Sequence, residues 1–205
     1  MRLGIFGGSF DPVHYGHLLL AECCREALAL EEVWLVPAAQ PPHKQDRTLA
    51  PGKARLEMLE LALADHESIK PSALELERGG LSFTVDTLEA IRQRQPEAEL
   101  FLLLGADSLR ELPTWRQPGR ICELAWPVAV RRSGNPEPDY RVLEGFVPPP
   151  RLEAVRRLQV EMPLIDLSST ELRRRARLGL SLRFRTPRAV EEYIRAHGLY
   201  REAPA

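Results

Sequence analysis

The sequence predicts an α/β protein: one open parallel sheet with helices on both faces and a helical segment at the C-terminal end. Three observations carry this. Short apolar runs at residues 3–6, 33–37, 100–104 and 127–130 each end near a turn or a polar residue, as strands buried on both faces do. Helical apolar spacing fills intervals at residues 18–30, 53–64 and 85–94, and strands alternating with helices imply a parallel sheet. A glycine pair, Gly7-Gly8, follows the first run directly, and the carboxyl ends of such strands are where these sheets bind ligands.

In chain order, the first run leads through Gly7, Gly8, Ser9, Phe10, Asp11, Pro12 and Val13 into His14, Tyr15, Gly16 and His17, ahead of the helix at 18–30. Two glycines let backbone N–H groups approach an anion without a Cβ in the way, and a helix N-terminus adds roughly half a positive charge. His14 and His17 are three residues apart, so they share a face if the helix has begun. Cys23 and Cys24 fall within the helical pattern and read as packing residues, with no spacing that resembles a closed tetrahedral zinc site. The second run ends at Pro37, before the proline-stiffened segment Pro41-Pro42-His43-Lys44. Thr84 opens the helix at 85–94. The run at 100–104 ends at Gly105 with Asp107 just beyond, and the run at 127–130 ends near Arg132. Gly7, Pro37, Gly105 and Arg132 therefore bring four chain-distant loops to one edge of the sheet.

Residues 134–139 read as a loop and Pro148-Pro149-Pro150 as a stiff connector, after which the sheet pattern is weak until residues 162–167. Ser168 and Glu171 fit a capping box, so a helix starts there with the hydroxyls of Ser169 and Thr170 exposed and Arg173 projecting from about its first turn. A last helix covers 187–197, with proline in its first turn and Gly198 just past its end. No internal repeat is visible, and residues 1–205 read as a single domain.

A chain of 205 residues with 28 basic and 29 acidic side chains carries a net charge of −1. No global field draws it to nucleic acid or an anionic membrane. Arginines crowd the stretch from Arg173 to Arg188, mostly as a solvated helix face with one or two recruited for phosphate. Three cysteines make no disulfide framework, which suits the reducing cytoplasm. The start lacks a signal-peptide pattern, and no apolar run approaches a membrane span.

Neither the dinucleotide fingerprint nor the phosphate loop occurs here. What stands is Gly-x-Phe-x-Pro-x-His-x-Gly-His, which resembles the signature of the nucleotidyltransferase superfamily, with His14, Gly16 and His17 in the motif positions. The segment Leu167-Ser168-Ser169-Thr170-Glu171-Leu172-Arg173 resembles that superfamily's second element. Pro41-Pro42-His43-Lys44, Leu81-Ser82-Phe83-Thr84-Val85-Asp86-Thr87-Leu88, Gly105-Ala106-Asp107-Ser108-Leu109 and Leu112-Pro113-Thr114-Trp115 together resemble the bacterial nicotinate-nucleotide adenylyltransferases, as do Tyr193-Ile194 and Gly198-Leu199-Tyr200 near the end. Departures are small. Phe83 stands where tyrosine is usual, Leu81 where proline is usual, and Ser133 interrupts an Arg-Pro-Gly.

The resemblance implies a Rossmann-like open parallel sheet and transfer of AMP from ATP to nicotinate mononucleotide, giving deamido-NAD and pyrophosphate. It implies His14, His17, Lys44 and Arg173 as catalytic groups. Gly7, Gly8, Ser9, Phe10, His17, Gly105, Asp107, Ser168, Ser169, Thr170 and Arg173 are expected to hold ATP. Ser82, Phe83, Thr84, Asp107, Trp115 and Arg132 are expected to hold the acceptor. Lys44 would place a cation on the departing pyrophosphate, Asp107 accept from ribose hydroxyls, Trp115 offer a flat face to the pyridine ring, and the helix start at Thr84 meet the nicotinate carboxylate. Mg²⁺ arrives with ATP, and no protein metal site is expected. The partners are small-molecule substrates, with neither nucleic acid nor membrane, and a homo-oligomer is left open. Pantetheine-phosphate adenylyltransferase and glycerol-phosphate cytidylyltransferase share the fold and first motif, but the segments at 82–88 and 112–115 argue against both. From another class, a catalytically silent nucleotide sensor or an RNA-binding module is the rival, the latter weakened because aromatics are not interleaved with the arginines.

Overall fold

The computed structural model describes residues 1–42 and 49–201. Its strands β1 (Arg2–Gly8), β2 (Glu32–Pro37), β3 (Ile69–Pro71), β4 (Glu99–Gly105), β5 (Trp126–Arg132) and β6 (Val160–Met162) form one sheet in the order β3-β2-β1-β4-β5-β6, every pair parallel. The four apolar runs read from the sequence are the four central strands. The two edges, β3 and β6, are three residues each, too short to show a period. The sheet pattern expected at residues 162–167 overlaps β6 only at Met162, and residues 163–167 are not in a strand.

The helices are α1 (Tyr15–Ala27), α2 (Gly52–Ala62), α3 (Leu74–Arg78), α4 (Thr84–Arg94), α5 (Ala106–Glu111), α6 (Pro118–Leu124), α7 (Pro149–Arg157), α8 (Ser169–Arg177) and α9 (Arg188–Ala196). Alternation along β4 shows how they cover the sheet. Phe101 and Leu103 join a buried cluster with residues of α1, α2, α8 and α9, while Leu100, Leu102 and Leu104 join another with residues of α4, α6 and α7. The chain winds outward through β1, β2 and β3, then returns to the other side of β1 for β4. A crevice opens at that reversal, beyond the carboxyl ends of β1 and β4.

Several boundaries differ from the sequence reading for local reasons. α1 starts three residues before the expected 18–30 helix because His14 caps it. Pro149 and Pro150 are not connector residues but occupy the first turn of α7, where their missing N–H groups cost nothing. Thr84 does open α4, with Phe83 as its cap. Among the described residues no helix is long and apolar enough to cross a membrane.

Candidate active site

The turn after β1 is shaped by what its glycines leave out. A Cβ on Gly8 would lie 3.1 Å from the ring of Phe10. Phe10, held at φ 45 and fully buried, folds back beneath the turn and meets Phe6 and His17 edge-on, at ring separations of 5.4 Å and 5.1 Å. At Gly7 and Gly105 the missing Cβ leaves open space, so the backbone there faces the crevice directly. The left-handed Phe10 is strained, as non-glycine residues in that region usually are at functional turns.

His14 caps α1 in extended conformation, and His17 stands three residues on, in the first turn. The His17 Nδ1 accepts from the His14 backbone N–H at 3.3 Å. That bond puts the ring proton on Nε2, so His17 presents a donor at its far edge. The two imidazoles stack with centroids 3.7 Å apart and planes 20° from parallel. Burial, and then the positive charge of Arg132, pull the His14 pKa down to about 4. His14 is thus neutral at pH 7, and its Nδ1 is buried without a hydrogen-bond partner among the described residues.

Gly16 explains the His-x-Gly-His spacing: a Cβ there would sit 3.0 Å from Cε1 and Nδ1 of His14. Gly16→Ala should lower turnover at least about tenfold by displacing the ring stack. The same change improves helix propensity by about 1 kcal/mol, so the fold should hold by circular dichroism and thermal melting. Parent-like turnover in a folded Gly16→Ala protein would show that the stack needs no such room.

Arg173 reaches this turn from α8. Its Nη1 donates to the Asp11 carbonyl at 2.5 Å and lies 3.7 Å from Asp11 Oδ2, while Nη2 donates to Thr170 Oγ1 at 3.1 Å. Asp11 is buried, and its Oδ1 accepts from the Tyr200 hydroxyl at 2.7 Å and from the Ala50 N–H at 3.2 Å. Ser169 Oγ donates to the Pro12 carbonyl and Thr186 Oγ1 to the Val13 carbonyl, at 2.9 Å and 2.8 Å. C-terminal segments distant in sequence thus fix the turn that carries the histidines. The predicted capping box forms by half: Ser168 Oγ accepts from the Glu171 N–H at 3.2 Å, but the Glu171 carboxylate pairs with Arg174.

Two hollows meet at the end of β1. One, about 380 Å³, is lined by Gly7, Gly8, Ser9, Phe10, His14, His17, Gly105, Arg132, Ser168, Ser169, Thr170 and Arg173. The other, about 240 Å³, is lined by Gly7, Gly8, Ser9 and Gly105 again, and by Glu75, Ser82, Thr84, Thr87 and Trp115. The expected ATP set is assembled in the first except for Asp107, and half of the acceptor set, Ser82, Thr84 and Trp115, in the second. Arg132 lies on the first side, away from Ser82, Thr84 and Trp115. Asp107 is exposed on α5, 3.3 Å from Arg110, and lines neither hollow but a third one beside Arg132. Phe83 packs under Arg116 instead of lining the cleft. Lys44 lies outside the described residues.

The sequence alone assigns no role to Asp11, Arg55, Glu75, Thr87 or Tyr200. Arg55 is fully buried and donates to the carbonyls of Ala50, Ser9 and Ala38 at 2.9, 2.8 and 2.7 Å, tying the β1 turn to the exit of β2. Its signal was present: an arginine on the apolar stripe with Met58 and Leu59, three and four residues on. Asp11 stood inside the motif. Glu75 sits in a five-residue helix with no period to read.

A cytidylyltransferase-like family profile matches residues 5–175. The chain is 47% identical over 203 residues to a Thermus thermophilus protein named "Probable nicotinate-nucleotide adenylyltransferase", spanning 98% of this chain and 100% of that one. A Thermomicrobium roseum protein of the same name is 45% identical over 204 residues, covering 100% and 94%. Among solved structures, Plasmodium falciparum nicotinic acid mononucleotide adenylyltransferase complexed with NaAD superposes with a TM-score of 0.72 over 97% of each chain, at 17% identity, a likeness of fold.

Proposed function

The chain belongs to the cytidylyltransferase-like family and, at 40–47% identity over nearly its whole length, to the nicotinate-nucleotide adenylyltransferases within it; from that premise we propose that ATP and nicotinate mononucleotide occupy its two joined hollows. The observation that carries the placement is the shared wall. Phe6, Gly7, Gly8, Ser9 and Gly105 line both hollows, so groups bound on either side meet across a wall rich in glycine backbone.

The nucleophile is the mononucleotide's own 5′-phosphate, already ionised near pH 7, and no general base is needed. The protein's task is to hold two polyanions in line and to meet charge as it moves onto the leaving pyrophosphate. The His17 Nε2–H donates to the transferring phosphate. His14, stacked on it, fixes its plane. Arg173, braced by Asp11, and Lys44 hold the triphosphate. Thr84 and the start of α4 face the ring carboxylate, and Trp115 offers its face to the pyridine.

Hydroxyl, imidazole and guanidinium groups line the nucleotide hollow, and among the described residues no cluster of three His, Cys, Asp or Glu is placed to hold an ion. This chemistry suits Mg²⁺ carried by the triphosphate with most of its waters, where it supplies charge neutralisation. The substrates are the partners in this reading, with neither nucleic acid nor membrane involved. The whole chain works as one domain, in the cytoplasm, where the free thiols of Cys23, Cys24 and Cys122 are at home.

The test is pyrophosphate release from ATP. Release that requires nicotinate mononucleotide supports transfer, whereas ATP binding without release under any acceptor makes the chain a nucleotide sensor.

A further inference from the structure

The acceptor hollow carries a carboxyl that the mechanism above does not use. Glu75 on α3 is 6% exposed and lines that hollow. The Thr87 hydroxyl donates to its Oε1 at 2.6 Å, and the Ser82 hydroxyl, which accepts from the Ala39 N–H at 2.8 Å, bonds to the same carboxylate. Of the charges around it, Arg78 on its own helix reaches Thr87 Oγ1 at 3.2 Å. Arg55 from α2 is engaged by three backbone carbonyls, and Glu111 from α5 lines the same hollow. Glu75 is therefore held in place by hydroxyls.

A mononucleotide in this hollow must set its phosphate at the shared glycine wall, where the nucleotide hollow opens. Its ring then lies at the other end, among Trp115, Thr84, Thr87 and Ser82, and a carboxylate on that ring shares a small site with the carboxyl of Glu75. Two carboxylates so enclosed cannot both stay ionised without a large cost, so one binds a proton. Burial already pushes the Glu75 carboxyl above the usual range, which selects it as the proton acceptor.

We propose that Glu75 is a specificity-determining residue: it takes one proton from solvent when the acceptor ring carries a carboxylate, and donates that proton as a hydrogen bond to it. An amide calls for no proton, since its NH₂ can donate to ionised Glu75. The acid is thus favoured at low pH, and the amide gains as pH rises. This rests on the adenylyl-transfer reading above.

Calorimetric titration of the wild-type protein with nicotinate and nicotinamide mononucleotide, each in PIPES and in Tris, measures protons taken up on binding. The phosphate is common to both ligands, so its own titration cancels in the difference. The acid should take up more protons than the amide, and Glu75→Gln, which keeps an acceptor for Thr87, should remove the excess. Between about pH 6 and about pH 9, the wild-type ratio of kcat/KM for acid over amide should fall by up to about tenfold per pH unit; in Glu75→Gln it should stay flat. Equal proton uptake by the two mononucleotides in the wild type overturns the assignment and needs no variant to fold. Absence of pyrophosphate release with either mononucleotide overturns the transfer reading itself.

Discussion

His17→Ala should lower kcat by about 10²–10³, the loss expected for one preorganised donor to a transferring group. The alanine also deletes the acceptor for the His14 N–H, which costs about 1 kcal/mol as a lost cap. His17→Asn separates the two effects. Its Oδ1 stands where Nδ1 stood and can accept that N–H, but it has no group in the place of Nε2–H. Both variants should therefore lose turnover alike, while only the alanine protein melts lower. An asparagine variant that turns over at the parent rate would reduce His17 to a helix cap.

The second large effect is expected at Arg173. Arg173→Ala removes the side chain proposed to hold the triphosphate and also leaves Asp11 buried with its Oδ2 lacking the nearby charge. Turnover should fall by about 10² or more, and stability with it. Arg173→Lys keeps the charge but not the planar fork that spans the Asp11 carbonyl and Thr170 Oγ1. It should fold like the parent and still lose about tenfold in kcat/KM for ATP. If Arg173→Lys matches the parent in both kcat and ATP KM, the fork has no part in holding the triphosphate.

The fold was legible where the sequence carried long signals. Apolar runs marked the four central strands because burial on both faces leaves no room for polar residues. β3, β6 and α3, at three to five residues, are set by pairing and packing against neighbours distant in sequence, which no local pattern encodes. The first hollow was legible because His14, Gly16, His17, Ser168 and Arg173, which line it, lie in two compact motifs. The bracing between those motifs was not. Asp11 acquires its role only when Tyr200, 189 residues away, and Arg173 arrive beside it. Asp107 and Arg132 both stand near the expected edge of the sheet, but Arg132 lines the first hollow and Asp107 only the third, because the direction of each side chain depends on the local turn. Glu75 and Thr87 form their bond between separate helices, so neither announces a buried polar pair.

The claim that rests most on all of these residues together is the identity of the acceptor. Its direct measurement is kcat/KM for ATP-dependent adenylyl transfer to nicotinate mononucleotide, nicotinamide mononucleotide and phosphopantetheine under identical conditions near the low end of the pH range, at about pH 6, where the acid is most favoured. Nicotinate mononucleotide should exceed its amide by at least about tenfold, which needs only about 1.4 kcal/mol of differential interaction, and phosphopantetheine should give no product. Equal values for acid and amide, or transfer to phosphopantetheine instead, would contradict the placement of a nicotinate ring among Thr84, Trp115 and Glu75.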